Sequence, residues 1–223
     1  IDGTPATSTT NVDRSSPVTT IESSPTDPSN ETDGSFEVSV VDDPWESLPG
    51  LMQVLYCITN DETCPGQAMT SNGSGAYSAG YSSLSEGTWT FKAWSEDLAG
   101  NIEEQGLNAT HTWTIDTTGA QTEIMSGPDD PTNATIPVFT FKESSDDPNA
   151  TFECRLYVST SGPGAWESCE SPKVYNAQPD ETYTFEVKAF DSLGNEDVSP
   201  ASWIWKIDTI APTTQINSEP LNP

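Results

Sequence analysis

Four cysteines, five N-x-S/T sequons, a D-x-x-G-N turn used twice and a scatter of aromatic rings are the groups in this 223-residue chain whose spacing could do chemistry. Cys57 and Cys64 enclose six residues, and Cys154 and Cys169 enclose fourteen. Each pair is expected to close its own hairpin as a disulfide, worth roughly 2.5 and 3 kcal/mol in the chain-entropy account. A thiolate metal site would need paired C-x-x-C spacing and a useful histidine, and neither is present.

The turns admit two readings. In "DLAGN" and "DSLGN", Gly100 and Gly194 can take the positive backbone angle, while Asp97, Asn101, Asp191 and Asn195 can hydrogen-bond the turn's own backbone. The same oxygens are hard ligands, so calcium at Asp97 and Asn101, or at Asp191 and Asn195, is the competing reading. "DxxGN" is much poorer in ligands than an EF-hand loop. Asp116 and Asp208, like Asp2, follow what reads as a last strand, where they either cap it or hold calcium between modules whose short linkers are stiffened by prolines such as Pro212. No cofactor is required by any of this, and calcium is the one candidate.

The sequons stand at Asn30, Asn72, Asn108, Asn133 and Asn149. Their number says little in a Ser/Thr-rich chain, but Asn30 and Asn133 occupy equivalent repeat positions near the start of a module, where a glycan is tolerated. Catalysis is poorly supported. The single histidine, His111, stands at the position equivalent to Trp203 and reads as a half-buried sheet residue, which leaves no base for a Ser or Cys nucleophile. Trp94 occupies an outward strand position where the second repeat has Lys188. Trp45, Tyr77 and Tyr81 lie in insertions of the first repeat. These four rings either mark an interface or sugar-stacking surface, or are covered by the longer loops around them.

Charge narrows the partners. Thirty-five acidic against seven basic residues give a formal net charge of -28, which repels a phosphate backbone and makes a nucleic-acid partner improbable. No run of about 18 apolar residues exists to cross a membrane. Cysteine pairing points to an oxidising compartment, hence a secreted or cell-surface setting.

The elements that must position these groups come from an internal repeat. "IESSPTDPSNETDGSFEV" from Ile21 sets against "IMSGPDDPTNATIPVFTF" from Ile124, and "INSEPLNP" from Ile216 starts the phrase again. "TWTFKAWSEDLAGN" pairs with "TYTFEVKAFDSLGN", and "HTWTID" with "SWIWKID". The offset drifts from 103 at Ile21 and Ile124 to 92 at Asp116 and Asp208, as loops of unequal length require. Tyr183, Phe185, Val187 and Ala189 alternate with Thr184, Glu186 and Lys188, the period of a half-buried strand. Inward positions also fall to Trp89 and Phe91. With 18 Pro and 15 Gly as punctuation, each unit reads as short strands in a two-sheet sandwich.

Residues 122–216 carry F-x-C, W-x-x-C-x-S-P, T-F-x-V-x-A-x-D-x-x-G-N and W-x-I-D-x-x-A-P-x-T-x-I. In these motifs the chain resembles the bacterial-type immunoglobulin-like repeats of large secreted or cell-surface adhesin, stalk or fibre proteins. The first repeat departs from them, with Ala93 and Ser95 in the long strand and no Trp before Cys64. The expected fold is all-β: two tandem immunoglobulin-like β-sandwich domains joined by short Pro-containing linkers. Residues 1–17 would be the exit of a preceding repeat and a Ser/Thr-rich linker, 18–118 domain 1 with its insertions, 119–210 domain 2, and 211–223 a linker and the start of a third repeat. The resemblance implies a structural repeat of an extracellular fibre, stalk or filament with no catalytic activity. Self-association with neighbouring repeats or subunits is then expected, with Ile216, in the phrase that restarts the repeat, as a candidate contact. The alternative is an adhesin region that binds glycans or a partner protein through the aromatic rings of domain 1.

Overall fold

The computed structural model describes residues 13–42, 51–61, 63–73, 75–105, 107, 109–144 and 148–217. The chain divides into two compact units, Ile1–Thr117 and Thr118–Pro223. Every regular element among the described residues is a strand, and none contains a helix long and apolar enough to cross a membrane.

Unit 1 contains β1 (Val18–Ser23), β2 (Gly34–Val41), β3 (Leu51–Thr59), β4 (Gln67–Ala68), β5 (Thr70–Ser71), β6 (Ala76–Tyr81), β7 (Gly87–Asp97) and β8 (Ala109–Ile115). They form two sheets in the orders β1-β2-β6-β5 and β4-β3-β7-β8. Unit 2 contains β9 (Thr122–Ser126), β10 (Val138–Glu143), β11 (Thr151–Val158), β12 (Glu167–Cys169), β13 (Lys173–Val174), β14 (Thr182–Phe190) and β15 (Ala201–Lys206). Their orders are β13-β10-β9 and β12-β11-β14-β15. All strand pairings are antiparallel. The protein is therefore two tandem β-sandwiches of immunoglobulin-like layout.

The period-two pattern produces the cores. Phe36 and Val38 of β2 meet Phe91 and Ala93 of β7, with Trp113 and Ile115 of β8 closing the cluster. Phe139, Phe141, Phe185, Val187, Trp205 and Ile207 repeat the arrangement in unit 2. In each unit the centre is one stacked phenylalanine pair, Phe36 on Phe91 and Phe139 on Phe185, both with centroids 3.9 Å apart. A tryptophan stands edge-on to each, Trp113 at 5.2 Å from Phe36 and Trp205 at 5.2 Å from Phe139. Such rings contribute about 1.5–3 kcal/mol each through burial, and their mutual geometry adds about 0.5–1.5 kcal/mol per pair.

The register equates the two units residue by residue. Phe91 pairs across the ladder with His111 as Phe185 does with Trp203, which places the histidine on the sheet at the tryptophan's position. His111 is half-buried and stacks on Trp113. Trp89 lies partly buried against the core and donates its indole N–H to the Ser85 carbonyl. At the matching place Tyr183 is fully packed and donates its hydroxyl to the Pro179 carbonyl.

Candidate functional site

Both cysteine pairs form disulfides inside their own unit. Cys57 bonds Cys64 with Cα atoms 5.5 Å apart, and Cys154 bonds Cys169 at 5.9 Å. Cys57 stands opposite Lys92, outside the core cluster of unit 1, whereas Cys154, opposite Val187, packs with Cys169 into the core of unit 2.

The D-x-x-G-N segments are self-contained turns. Asp97 accepts the Asn101 backbone N–H on Oδ1 at 2.9 Å and the Asn101 side-chain amide on Oδ2 at 2.8 Å. Asp191 takes the same two donors from Asn195 at 2.8 and 2.9 Å. Gly100 and Gly194 sit at φ of 87° and 86°, the left-handed region where a side chain is strained. Burial pushes the Asp97 carboxyl up, but the Asn101 side chain and the backbone N–H groups of Asn101, Ala99 and Gly100 outweigh it, and the group ends below the ordinary carboxylate range. Around Asp97 the structure adds something absent from the sequence pattern. Asp13 and Asp42 bring carboxylate oxygens that lie with an Asp97 oxygen within 4.8 Å of one another. Three carboxylates at this range are a donor set of the hard-oxygen kind that calcium takes.

At the ends of the last strands, Asp116 and Asp208 donate their backbone N–H groups to the Ser29 and Thr132 carbonyls, both at 2.9 Å. Asp208 further accepts from Lys206 Nζ at 2.9 Å and from the Ile210 N–H at 3.2 Å, and the lysine hydrogen bond holds its carboxyl below the usual range. These contacts are what strand-end caps make. They belong to a repeated clamp that the sequence reading missed. In each unit a short segment after the first strand runs parallel to the last strand, pairing Ser29 with Ile115 and Thr132 with Ile207. Ser29 N–H donates to Thr114 O, and Thr132 N–H to Lys206 O, each at 2.9 Å. Asp27 and Asp130 accept the Thr114 and Lys206 backbone N–H groups, again at 2.9 Å.

A second repeated device holds the first strand. Glu103, 3% exposed, accepts the Thr19 N–H on both oxygens at 3.1 and 3.0 Å. Asp197, 1% exposed, accepts the Thr122 N–H at 2.8 Å. The signal for it was present: each acid stands six residues after Asp97 or Asp191.

Of the two readings of the aromatic rings of unit 1, the described residues fit the covered one. Trp94 is 8% exposed, because the chain beyond the first disulfide folds over it. A Cβ at Gly66 would come within 2.7 Å of the indole, so only glycine lets the backbone approach. Tyr77 and Tyr81 are half-buried and pack against the core, and Tyr81 lies across Gly34, whose added Cβ would meet its hydroxyl at 2.5 Å. Trp45 lies outside the described residues, as does the sequon at Asn108. Asn30, Asn72, Asn133 and Asn149 are all exposed.

Unit 2 has the richer outer face. The Arg155 guanidinium sits 4.1 Å from the Trp166 ring centroid, and Lys188 Nζ sits 4.9 Å from Trp166 and 5.0 Å from Phe190. Lys188 also binds Glu196 at 2.6 Å and Glu153 at 3.1 Å. Burial opposes its charge, but the hydrogen bonds to Glu196 and Glu153 outweigh it and hold its pKa above the ordinary value. Beside this cluster, a groove of about 440 Å³ follows residues 154–158 and reaches Tyr175, Gln178 and Tyr183. The Tyr175 hydroxyl is pushed up to about 12, mainly by burial and then by the charge of Glu167.

No family model matches the chain, and no curated protein matches it. Among solved structures, the fibronectin(III)-like modules of Clostridium thermocellum CbhA are similar at 14% identity and a TM-score of 0.37, covering 90% of this chain and 100% of that one. A two-domain fibronectin type-III segment of chicken tenascin is similar at 13% identity and a TM-score of 0.33, covering 86% and 99% of the two chains. The FN1–FN3 domains of chicken CNTN1 give 12% identity and a TM-score of 0.33, covering 81% of this chain and 65% of that one.

Proposed function

We propose that the chain is a structural segment of an extracellular fibre, stalk or filament, built from stacked sandwich modules and without catalytic activity of its own. The observation that carries this reading is the parallel clamp between the entry segment and the last strand, made with the same bonds in both units. Two neighbouring parallel strands, one near each end of a module, slide in opposite senses when those ends are pulled. Their hydrogen bonds then resist together in shear instead of opening one after another. Two disulfides in 223 residues support an oxidising, secreted or cell-surface setting. Exposed asparagines at Asn30 and Asn133 supply equivalent positions for glycans.

Single-molecule pulling tests the reading, because forced unfolding follows the unfolding rate of each module. Two unfolding events are expected, and Asp27→Ala and Asp130→Ala should each lower the force of one event only. Unchanged forces in both variants would remove the clamp and with it the mechanical reading. Imaging of native material should show a polymer.

A further inference from the structure

The groove on unit 2 is lined by five consecutive residues, 154–158. Side chains of a strand alternate between its two faces, so a run of neighbours can line one groove only where the strand's edge faces it. β14 pairs β11 along its whole length on one side, from Thr151 with Phe190 to Val158 with Tyr183. On the other side β12 covers only Phe152, Glu153 and Cys154. Ser159 N–H donates to Thr182 O on the β14 side, so the antiparallel alternation turns the backbone groups of Leu156 and Val158 into the groove. The Val158 carbonyl accepts the Ser161 N–H. Leu156 N–H, Leu156 O and Val158 N–H have no main-chain partner among the described residues.

Side chains add further groups without partners. The Tyr175 ring is anchored edge-on against Phe139 and Phe185, with centroids 6.3 and 6.1 Å away. Its hydroxyl faces the charge of Glu167 without a hydrogen bond to it. Neither that hydroxyl nor the Glu167 carboxylate has a hydrogen-bond or ion-pair partner among the described residues. Gln178 donates its amide to Asn176 O at 3.0 Å, which leaves its own oxygen over. Arg155 is held in place by Glu186, Trp166 and the Gly164 carbonyl, and its five N–H groups exceed what those contacts use. Open donors and acceptors thus converge, on fixed supports, in one concavity of about 440 Å³, within the roughly 300–1,000 Å³ of small-molecule sites.

The chemistry of these groups restricts the occupant. A peptide added as a strand gains its affinity from a row of main-chain bonds. Here β12 ends the row at Cys154 and the Ser161 turn ends it at Val158, so only Leu156 has both groups free. An anion is repelled, because Arg155 is neutralised by Glu186 while Glu167 is not neutralised at all. Donors and acceptors stand close together, and a hydroxyl is the group that serves both. We infer that the groove is a binding site for a short uncharged saccharide, with Tyr175, Glu167, Gln178 and the Leu156 backbone as its hydrogen-bonding groups. The site goes beyond the fibre reading, since it gives a structural module a means of holding a glycan. It also moves to unit 2 the glycan contact expected of the unit 1 rings.

Titration of the isotope-labelled full chain with neutral disaccharides, followed by amide chemical shifts, tests this. The probes are cellobiose and mannobiose, units of polysaccharides, and diacetylchitobiose and N-acetyllactosamine, units of glycoprotein glycans. Each is taken to about 20 mM, so that a millimolar Kd is reached. Shifts confined to residues 154–158, 164–167 and 175–178 are expected, and the tighter pair of probes names the source. Tyr175→Phe keeps the ring and removes the hydroxyl, and Glu167→Gln alters an exposed side chain. Both should keep the melting temperature, and each should bind the preferred disaccharide about tenfold more weakly. Glucuronic acid should leave the spectrum unchanged. The inference is overturned by no response to any disaccharide, by shifts confined to other residues, or by unchanged affinity in both variants. Glucuronic acid binding as tightly as the disaccharides, or a response only to the tetrapeptide acetyl-Thr-Val-Thr-Val-amide, overturns it too. None of these outcomes touches the pulling result, so this site and the mechanical reading fail separately.

Discussion

The two sandwiches cover the same point on the outer face of their long strand by opposite means. In unit 1 the strand supplies the aromatic, Trp94, and the chain just beyond the disulfide supplies the glycine that lies on it, Gly66. In unit 2 the loop supplies the aromatic, Trp166, and the strand supplies the charge beneath it, Lys188. The first solution buries apolar area and depends on a close backbone approach. The second depends on cation–π contact and two carboxylates. The lesson is that an outward strand position is not an exposed one when a tethered loop lies over it. A further contrast lies at the flank. Unit 1 fills it with β5 and β6, whose Tyr77 and Tyr81 pack on the core, whereas unit 2 has only the two-residue β13 and leaves the groove open.

The sharpest break of this comparison is truncation at the shared point. Trp94→Ala should destabilise unit 1 by about 3 kcal/mol, the scale for removing a large packed ring. Lys188→Ala should cost unit 2 about 1 kcal/mol, because Glu153 and Glu196 are partly exposed and solvent screens the pair. Denaturant unfolding of the two variants measures both, and equal losses would show that the two covers are energetically alike. Next comes the clamp on the first strand, where the units should agree. Glu103→Ala and Asp197→Ala each leave a buried backbone N–H without its acceptor, at about 1–3 kcal/mol. Loss of amide exchange protection confined to β1 or β9 would confirm it, and protection unchanged in both would refute it. The smallest effect separates the units again. Calcium is expected to raise the unfolding midpoint of the chain, and Asp13→Asn with Asp42→Asn to abolish the rise. A midpoint identical in calcium and in chelator would remove the ion from Asp97 and from every other candidate.

Much of the fold was legible because its causes are local. Period-two alternation marked β14, where Phe185 and Val187 point into the core. The D-x-x-G-N turns are closed by contacts only four residues apart. The disulfides join cysteines 7 and 15 residues apart. The devices that escaped the sequence reading span the chain: Glu103 reaches Thr19 across 84 residues, Asp197 reaches Thr122 across 75, and Asp27 reaches Thr114 across 87. Nothing in a strand's own alternation records which acid will arrive from that distance.

The sequence by itself therefore determined the all-β architecture, the two-fold repeat, the cysteine partners and the identity of the inward face, since side-chain periodicity and short loops act on neighbours. Only the tertiary structure decided that Trp94 is covered, that Asp13 and Asp42 join Asp97, and that β11 keeps an open edge. Those facts depend on how far each loop reaches once the sheets have packed, and loop reach is set by the folded surface it must cross.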